Sequence, residues 1–368
     1  MASVDLSTYM LNPGATIGIL GGGQLARMLA LAAAPLGLKC HVYSPDKDSC
    51  AFDVVHARTI ADYEDELALA RFAEHVDVVT YEFENVPAKT AAFLSQHTTV
   101  LPDPHVLETT QDRLAEKNFM RNLGIDTAPF AAVHSATQLA DGIAKCGVPA
   151  VLKTTRFGYD GKGQVKIERA EDANEAWRTL RHARCILEGF VKFRHEVSVI
   201  AARSTDGTVE CFEVTENEHR DHILHISKVP AKVTPELAAE ARRVATRIVN
   251  AFEYVGAMGV EMFVLSRKGE EHVLVNEVAP RVHNSGHWTI DGATVSQFEQ
   301  HIRAVAGWPL AKPQRLGTRV EMINLIGDEV LDHARWLTAP NTALHIYGKG
   351  APSPRRKMGH VTRVWPGK

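Results

Sequence analysis

The chain has 368 residues and a net charge of −3, from 41 basic and 44 acidic side chains. That length fits two or three domains with sizeable cores. Apolar residues make up 45% and charged ones 23%, a globular balance that excludes a disordered, collagen-like or coiled-coil chain. Near-neutral charge leaves no electrostatic footprint for nucleic acid or an anionic membrane.

The first hundred residues alternate strand and helix. Residues 1–11 carry no Lys or Arg and read as neither a secretory signal nor a basic transit peptide. Residues 16–20 are a short apolar run ending in Gly21-Gly22-Gly23. Residues 24–36 are rich in Ala and Leu and read as a helix, 39–43 as a second strand and 53–57 as a third. Residues 64–75 have helical periodicity, and 76–81 form a β-branched strand. This order predicts a Rossmann-like parallel sheet covered by helices. Gly21-x-Gly23-x-x-Ala26 satisfies the dinucleotide fingerprint. Its glycines let backbone N–H groups approach an anion, and the helix dipole adds positive character there. A pyrophosphate, a single phosphate and a ligand-free turn all stay open. The apolar stretch 28–38 is interrupted by Pro35 and Gly37 and is well short of the roughly 18 residues of a membrane span.

Leu101-Pro102-Asp103-Pro104 punctuates the chain, and a helix over about 110–123 ends at Gly124. Beyond it strands are frequent: 150–155, 164–168, 185–188, 196–203, 209–214, 223–228, 260–265 and 272–277, with a long helix over 235–250. This reads as α+β with an antiparallel sheet. After Trp308-Pro309 a β-rich tail follows. The expected divisions are an extension over 1–14, a Rossmann-like domain over 15–109, a second domain over 110–309 and a C-terminal domain over 310–368. Cys40, Cys50, Cys146, Cys185 and Cys211 are odd in number and contain no Cys-x-x-Cys. They read as reduced thiols of a cytoplasmic protein, without disulfides or a zinc knuckle.

Three further constellations carry chemistry. Between two predicted strands lies Lys153-Thr154-Thr155-Arg156-Phe157-Gly158-Tyr159-Asp160-Gly161-Lys162-Gly163-Gln164. It is not a Walker A loop, because no Ser or Thr follows the Lys and no helix follows the loop. Its glycines and Lys162 suit it to fold over phosphates, with Lys153 as a second cation. Glu261 and Glu277 are acids set in apolar strands. A buried carboxylate is expensive unless paired or bound to a cation, and two hard oxygen donors beside phosphates suit Mg²⁺. Arg281 near the same end can hold an anion. Finally, Ile186–Val191 runs from a strand into a linker that can offer backbone groups to an adenine edge, and Glu196 can accept ribose hydroxyls.

In chain order, the signatures are Gly21-Gly22-Gly23-Gln24-Leu25, Tyr81-Glu82-Phe83-Glu84-Asn85-Val86, and Phe157 to Gly163. Asn276-Glu277-Val278-Ala279-Pro280-Arg281 follows, with His283-Asn284-Ser285-Gly286-His287-Trp288. Tyr347-Gly348-Lys349 and Arg356-Lys357-Met358-Gly359-His360 close the series. Together they resemble the ATP-grasp superfamily, and within it the N5-carboxyaminoimidazole ribonucleotide synthetases of purine biosynthesis, over about residues 16–364. Where many ATP-grasp enzymes have Glu-x-Asn, this chain has Glu277-x-Ala279, one protein ligand fewer.

The resemblance implies an ATP-grasp fold and ATP-dependent carboxylation of 5-aminoimidazole ribonucleotide with bicarbonate. Carboxyphosphate, or CO₂ released from it, meets the exocyclic amine. By resemblance, ATP contacts Arg113, Lys153, Gly158, Tyr159, Asp160, Gly161, Lys162, Gly163 and Gln164. It also meets Glu188, Gly189, Phe190, Val191, Glu196, His219, Asn276 and Glu277. Mg²⁺, or Mn²⁺ in its place, belongs at Glu261 and Glu277. Lys349, Arg356 and Ser285 hold the ribonucleotide phosphate, with Arg355 the alternative to Arg356. Gly22, Gly23, Gln24, Leu25 and Glu82 border substrate or bicarbonate, and Tyr159 and Asp160 face the aminoimidazole. Asp160, Arg281 and Lys349 carry catalytic roles. A homodimer and a separate downstream mutase are also implied. A formate-using glycinamide ribonucleotide transformylase would share the ATP site and differ in the acid substrate. An NAD-dependent oxidoreductase built on the first glycine turn would leave Glu261 and Glu277 without a task.

Overall fold

The computed structural model describes residues 8–156, 163–267 and 269–367. Strands β1 (Thr16–Leu20), β2 (Lys39–Ser44), β3 (Ala57–Ile60) and β4 (Val78–Tyr81) form a parallel sheet in the order β3-β2-β1-β4. The third strand starts later than the pattern over 53–57 suggests. Residues Cys50–Asp53 wind instead into a 3₁₀ turn that buries Cys50, Ala51 and Phe52, and the Ala51 amide donates to the Gly22 carbonyl. The helix Gln24–Ala33 buries Leu25, Ala26, Met28, Leu29, Ala30 and Ala33. It contains no β-branched residue, so no side chain crowds the preceding turn.

The helix expected over 110–123 is Arg113–Asn122, and a second helix, Pro104–Thr110, precedes it. Asp112 separates the two by capping Arg113–Asn122, accepting the Leu114 and Ala115 amides at 3.0 and 3.1 Å. A small antiparallel sheet follows, β5 (Phe130–Val133), β6 (Ala150–Thr154), β7 (Gln164–Ile167) and β8 (Cys185–Gly189), in the order β5-β8-β6-β7.

The remaining strands are β9 (His195–Arg203), β10 (Val209–Cys211), β11 (Thr215–Arg220), β12 (Ile223–Val229), β13 (Gly256–Arg267), β14 (Glu270–Ala279), β15 (Arg319–Ile326), β16 (Thr342–Ile346) and β17 (Lys357–Trp365). They make one antiparallel sheet in the order β14-β13-β9-β11-β12-β15-β17-β16, with β10 also on β9. The tail strands therefore continue the large sheet, joined to it where β15 pairs with β12.

One face of this sheet packs on the helix Pro235–Ala251 through Leu237, Ala241, Ala245 and Ile248, spaced at three or four residues. The other face shares a core with the N-terminal sheet, through the helices Gln24–Ala33 and Gln297–Val305 and Trp288. Among the described residues no helix is long and apolar enough to cross a membrane.

His301 ties the two sheets together. Its Nδ1 accepts the Ala257 amide at 3.1 Å, so Nε2 carries the proton and donates to Thr80 Oγ1 at 2.8 Å. It is fully buried, and burial pushes its imidazole down to about 4. An unfolded imidazole titrates near about 6.5, so the unfolded chain takes up this proton first. The contribution is intact above about pH 6.5 and is lost as pH falls towards 4. On the order of 3 kcal/mol should disappear across that window. Denaturant midpoints measured across it should fall, and the fall should be shallower by about one proton in His301→Gln. Equal slopes in both chains would rule this out.

Candidate active site

A cleft of about 1420 Å³ opens between the small sheet and the large one. Its floor is the β13–β14 pair. Glu261 stands directly opposite Glu277, and the next pair is Met262 with Val275, so Asn276 is an extra residue on β14. This bulge turns both Asn276 and Glu277 to the cleft, which neighbours on a regular strand cannot both reach. Like charges directly opposite repel, and a flanking cation on one side and a ring N–H on the other offset them. Arg113 Nη1 lies 3.1 Å from Glu277, and His283 Nε2 lies 2.8 Å from Glu261. Burial would raise the Glu261 carboxyl, but the neighbouring His283, with His219 and Lys357, holds it below the usual carboxylate range.

The side wall comes from the helix Arg113–Asn122. Arg113, Glu116 and Lys117, spaced at three and four residues, share one helix face. Glu116 and Lys117 are only 5% and 4% exposed. Lys117 Nζ donates to the Asn276 carbonyl at 2.6 Å. Glu188 sits between two lysines, 3.1 Å from Lys117 and 2.5 Å from Lys153. Burial alone would raise its carboxyl, yet the two ammonium groups bring it to about 2. The carboxylate of Glu188, which the resemblance assigns to nucleotide contact, also holds the two cations in place. Burial pushes Glu116 the other way, up to about 8, against Lys117 beside it.

The glycine-rich segment does connect paired strands. Lys153 opposes Gln164 on β6 and β7, and the Thr154 amide donates to the Gly163 carbonyl at 2.9 Å. Gly158, Tyr159, Asp160, Gly161 and Lys162 lie outside the described residues. At the linker after β8, the Gly189 and Phe190 amides donate to the Pro129 and Pro149 carbonyls at 2.9 and 3.0 Å. These two donors are thus engaged within the chain. Phe190 lines the cleft, as does Phe193, which stacks on Phe263 at 4.6 Å. Glu196 Oε2 and His219 Nδ1 are 2.5 Å apart on the same wall.

At the N-terminal glycine turn the Gly23 amide donates to Glu82 Oε1 at 2.9 Å, so the group at the start of this helix is the chain's own carboxyl. A Cβ at Gly21 or Gly23 would come 2.6 or 2.9 Å from Glu82 Oε1, and one at Gly22 would come 2.2 Å from Ser49 Oγ. Close packing explains the three glycines. Gln24 and Leu25, just beyond, do line the cleft.

Arg281 also lines it, with Nε donating to Glu84 and Nη1 to the Val282 carbonyl at 3.0 Å. Lys349 Nζ donates to the Lys357 carbonyl at 2.8 Å, and Arg356 lies on the same side, its Nη1 3.4 Å from the Lys349 carbonyl oxygen. Arg355 donates instead to the Asp221 carbonyl at 3.2 Å. Burial, with Arg356 nearby, brings Lys349 down to about 8. Ser285 is not brought to the cleft. It is fully buried, with its hydroxyl between Ser198 and His283. Sequence spacing gave no individual role to Glu84, Lys117 or His283. The spacing of Arg113, Glu116 and Lys117 on one helical face is the signal that could have found Lys117.

Residues 14–111 match the family model described as the ribonucleotide synthetase preATP-grasp domain, 118–298 the ATP-grasp domain, and 321–366 the phosphoribosylaminoimidazole carboxylase C-terminal domain. The N5-carboxyaminoimidazole ribonucleotide synthase of Brucella melitensis is 47% identical over 358 residues, covering 97% of this chain and 98% of that one. The chain belongs to the N5-carboxyaminoimidazole ribonucleotide synthase family. The Staphylococcus aureus N5-carboxyaminoimidazole synthetase complexed with ADP superposes with a TM-score of 0.92 at 36% identity, covering 98% of this chain and 95% of that one. The Aspergillus clavatus synthase in complex with ADP and 5-aminoimidazole ribonucleotide gives 0.88 at 29% identity, covering 96% and 95%. The fold of this synthase family is the ATP-grasp fold. Its members are ATP-dependent ligases, and this chain forms N5-carboxyaminoimidazole ribonucleotide from 5-aminoimidazole ribonucleotide and bicarbonate in purine biosynthesis. The acid substrate is thus bicarbonate rather than formate.

Proposed function

We propose that ATP lies in the cleft with its phosphates above Glu261 and Glu277, and that the ribonucleotide phosphate rests against Lys349 and Arg356. The observation that carries this reading is the face-to-face register of Glu261 and Glu277. Two opposed carboxylates on a cleft floor offer the hard oxygen donors that Mg²⁺ requires. Mn²⁺ suits the same donors. Bound there, the cation would neutralise phosphate charge during transfer to bicarbonate.

The protein's own groups do the positioning. Lys153, steadied by Glu188, would meet the phosphates, and Arg113 would add positive charge beside Glu277. Val191, Glu196 and His219 would meet the nucleoside. Arg281, oriented by Glu84, would hold bicarbonate. Asp160, between β6 and β7 in sequence, would meet the aminoimidazole. Carboxyphosphate hydrolyses readily, so water must be kept from it. The family resemblance further supports a homodimer and hand-over of the carbamate to a separate mutase.

Phosphate release with bicarbonate, with and without 5-aminoimidazole ribonucleotide, tests the assignment. Lys349→Ala and Arg356→Ala should each raise KM for the ribonucleotide by about tenfold or more and leave KM for ATP within about twofold, since each removes a charge-assisted phosphate contact. Arg355→Ala should change neither. Because Lys349 titrates near 8, wild-type KM for the ribonucleotide should rise above about pH 8. Unchanged ribonucleotide kinetics in both cation variants would refute the phosphate site.

A further inference from the structure

His283 is built into the floor of the cleft with more support than a surface imidazole needs. Its Nδ1 faces the Ser285 amide at 3.3 Å and the Ser285 hydroxyl at 2.8 Å. An amide can only donate, so Nδ1 holds a lone pair and the ring proton sits on Nε2. That proton points at Glu261 Oε1, 2.8 Å away.

Behind the ring the donors line up in one direction. Asn217 Nδ2 donates to Ser198 Oγ at 2.9 Å, and Ser198 Oγ donates to Ser285 Oγ at 2.7 Å. The Ser285 hydroxyl proton is then directed to His283 Nδ1. Asn217 is fixed in turn by Ser227, whose hydroxyl donates to its Oδ1 at 2.9 Å. Ser198, Ser227 and Ser285 are at most 1% exposed and Asn217 is 6% exposed, so water does not compete for these bonds.

The backbone of His283 is held as well. The buried Gln297 carboxamide accepts the His283 amide at 2.9 Å and donates to its carbonyl at 2.7 Å. Space for the ring comes from Gly259, two residues before Glu261 on β13, where a Cβ would come 2.6 Å from that of His283.

We propose that His283 is a positioning residue for Glu261, its tautomer fixed by the Asn217–Ser198–Ser285 chain so that Nε2–H orients the carboxylate for a divalent cation shared with Glu277. This rests on the cation reading given under Proposed function. An outer partner of a ligating carboxylate typically changes metal affinity by about 10- to 100-fold.

The test reads Mn²⁺ binding to the full-length protein–ADP complex by electron paramagnetic resonance. His283→Leu keeps the bulk and removes the donor. Its Mn²⁺ dissociation constant should rise about 10- to 100-fold, while ADP affinity measured in chelator and the melting temperature stay near wild type. His283→Gln returns an N–H near the Nε2 position and should recover most of the affinity. Ser285→Ala, which removes only the hydroxyl, should weaken Mn²⁺ binding several-fold and serves if the Leu variant does not fold. Wild-type Mn²⁺ affinity in His283→Leu, or equal losses in the Leu and Gln variants, overturns the proposal. Glu261→Gln separates the two levels. If it too binds Mn²⁺ as wild type does, the cation reading fails and His283 loses its role with it. If it loses Mn²⁺ while His283→Leu does not, the cation reading stands and only the positioning role falls.

Discussion

Glu277→Gln is expected to fold, to bind ADP and to release phosphate on the order of 10³-fold more slowly than wild type, as befits loss of a charge that organises the transition state. The amide keeps the volume of the side chain but removes one of the two charges facing each other across β13 and β14. Arg113, 3.1 Å away, then faces a neutral partner. Stability should move little, or rise slightly, because one member of an opposed like-charge pair has gone. Unchanged stability with collapsed turnover is what separates a functional carboxylate from a structural one. Phosphate release across a Mg²⁺ titration, paired with a melting curve, measures both. Near-normal turnover at the wild-type Mg²⁺ optimum would remove Glu277 from the site.

Glu188→Ala should instead act mainly on stability. The carboxylate is 5% exposed and sits between Lys117 and Lys153. Removing one member of a buried ionic cluster leaves the others uncompensated and typically costs about 3–5 kcal/mol. A second change, Lys117→Met, takes away one stranded charge and should recover part of the loss, which a double-mutant cycle by urea denaturation would show. KM for ATP should rise with the first change, because Lys153 loses the partner that orients it. The pH sign follows from the lowered carboxyl, near 2 when folded. Its contribution is complete above the unfolded value of about 4.3 and disappears as pH falls towards 2. A loss below about 1 kcal/mol, the range of exposed pairs, would show that the cluster does not hold this wall.

The parts of the site most legible in the sequence were those that broke a local rule. An acid within Gly259-Val260-Glu261-Met262 or Leu274-Val275-Asn276-Glu277 has no place in an apolar strand unless something meets it, and both reach the cleft. Three successive glycines at residues 21–23 were equally visible, but their cause was not. Packing against Glu82 and Ser49 depends on contacts 59 and 27 residues away, which no local pattern encodes. β11 escaped notice because Thr215-Glu216-Asn217-Glu218-His219-Arg220 has no apolar alternation. It is a strand because neighbours pair on both sides and buried serines satisfy Asn217, a tertiary override of propensity. His219 was therefore placed only by resemblance. The different partners of Arg355 and Arg356 go with the backbone turn between them, with Arg355 at φ +65°, which spacing alone does not reveal.

The pairing of β15 with β12 has a mechanical consequence. Lys349 and Arg356 lie between β16 and β17, whose ladder runs through β15 into the strands that bear Glu261 and Glu277. The proposed phosphate and cation groups are thus bolted to one frame, and their separation is set by backbone registry. A chain cut near residue 310 would forfeit more than Lys349 and Arg356. It would strip β12 of a neighbour and leave an open ladder rung, an invitation to self-association.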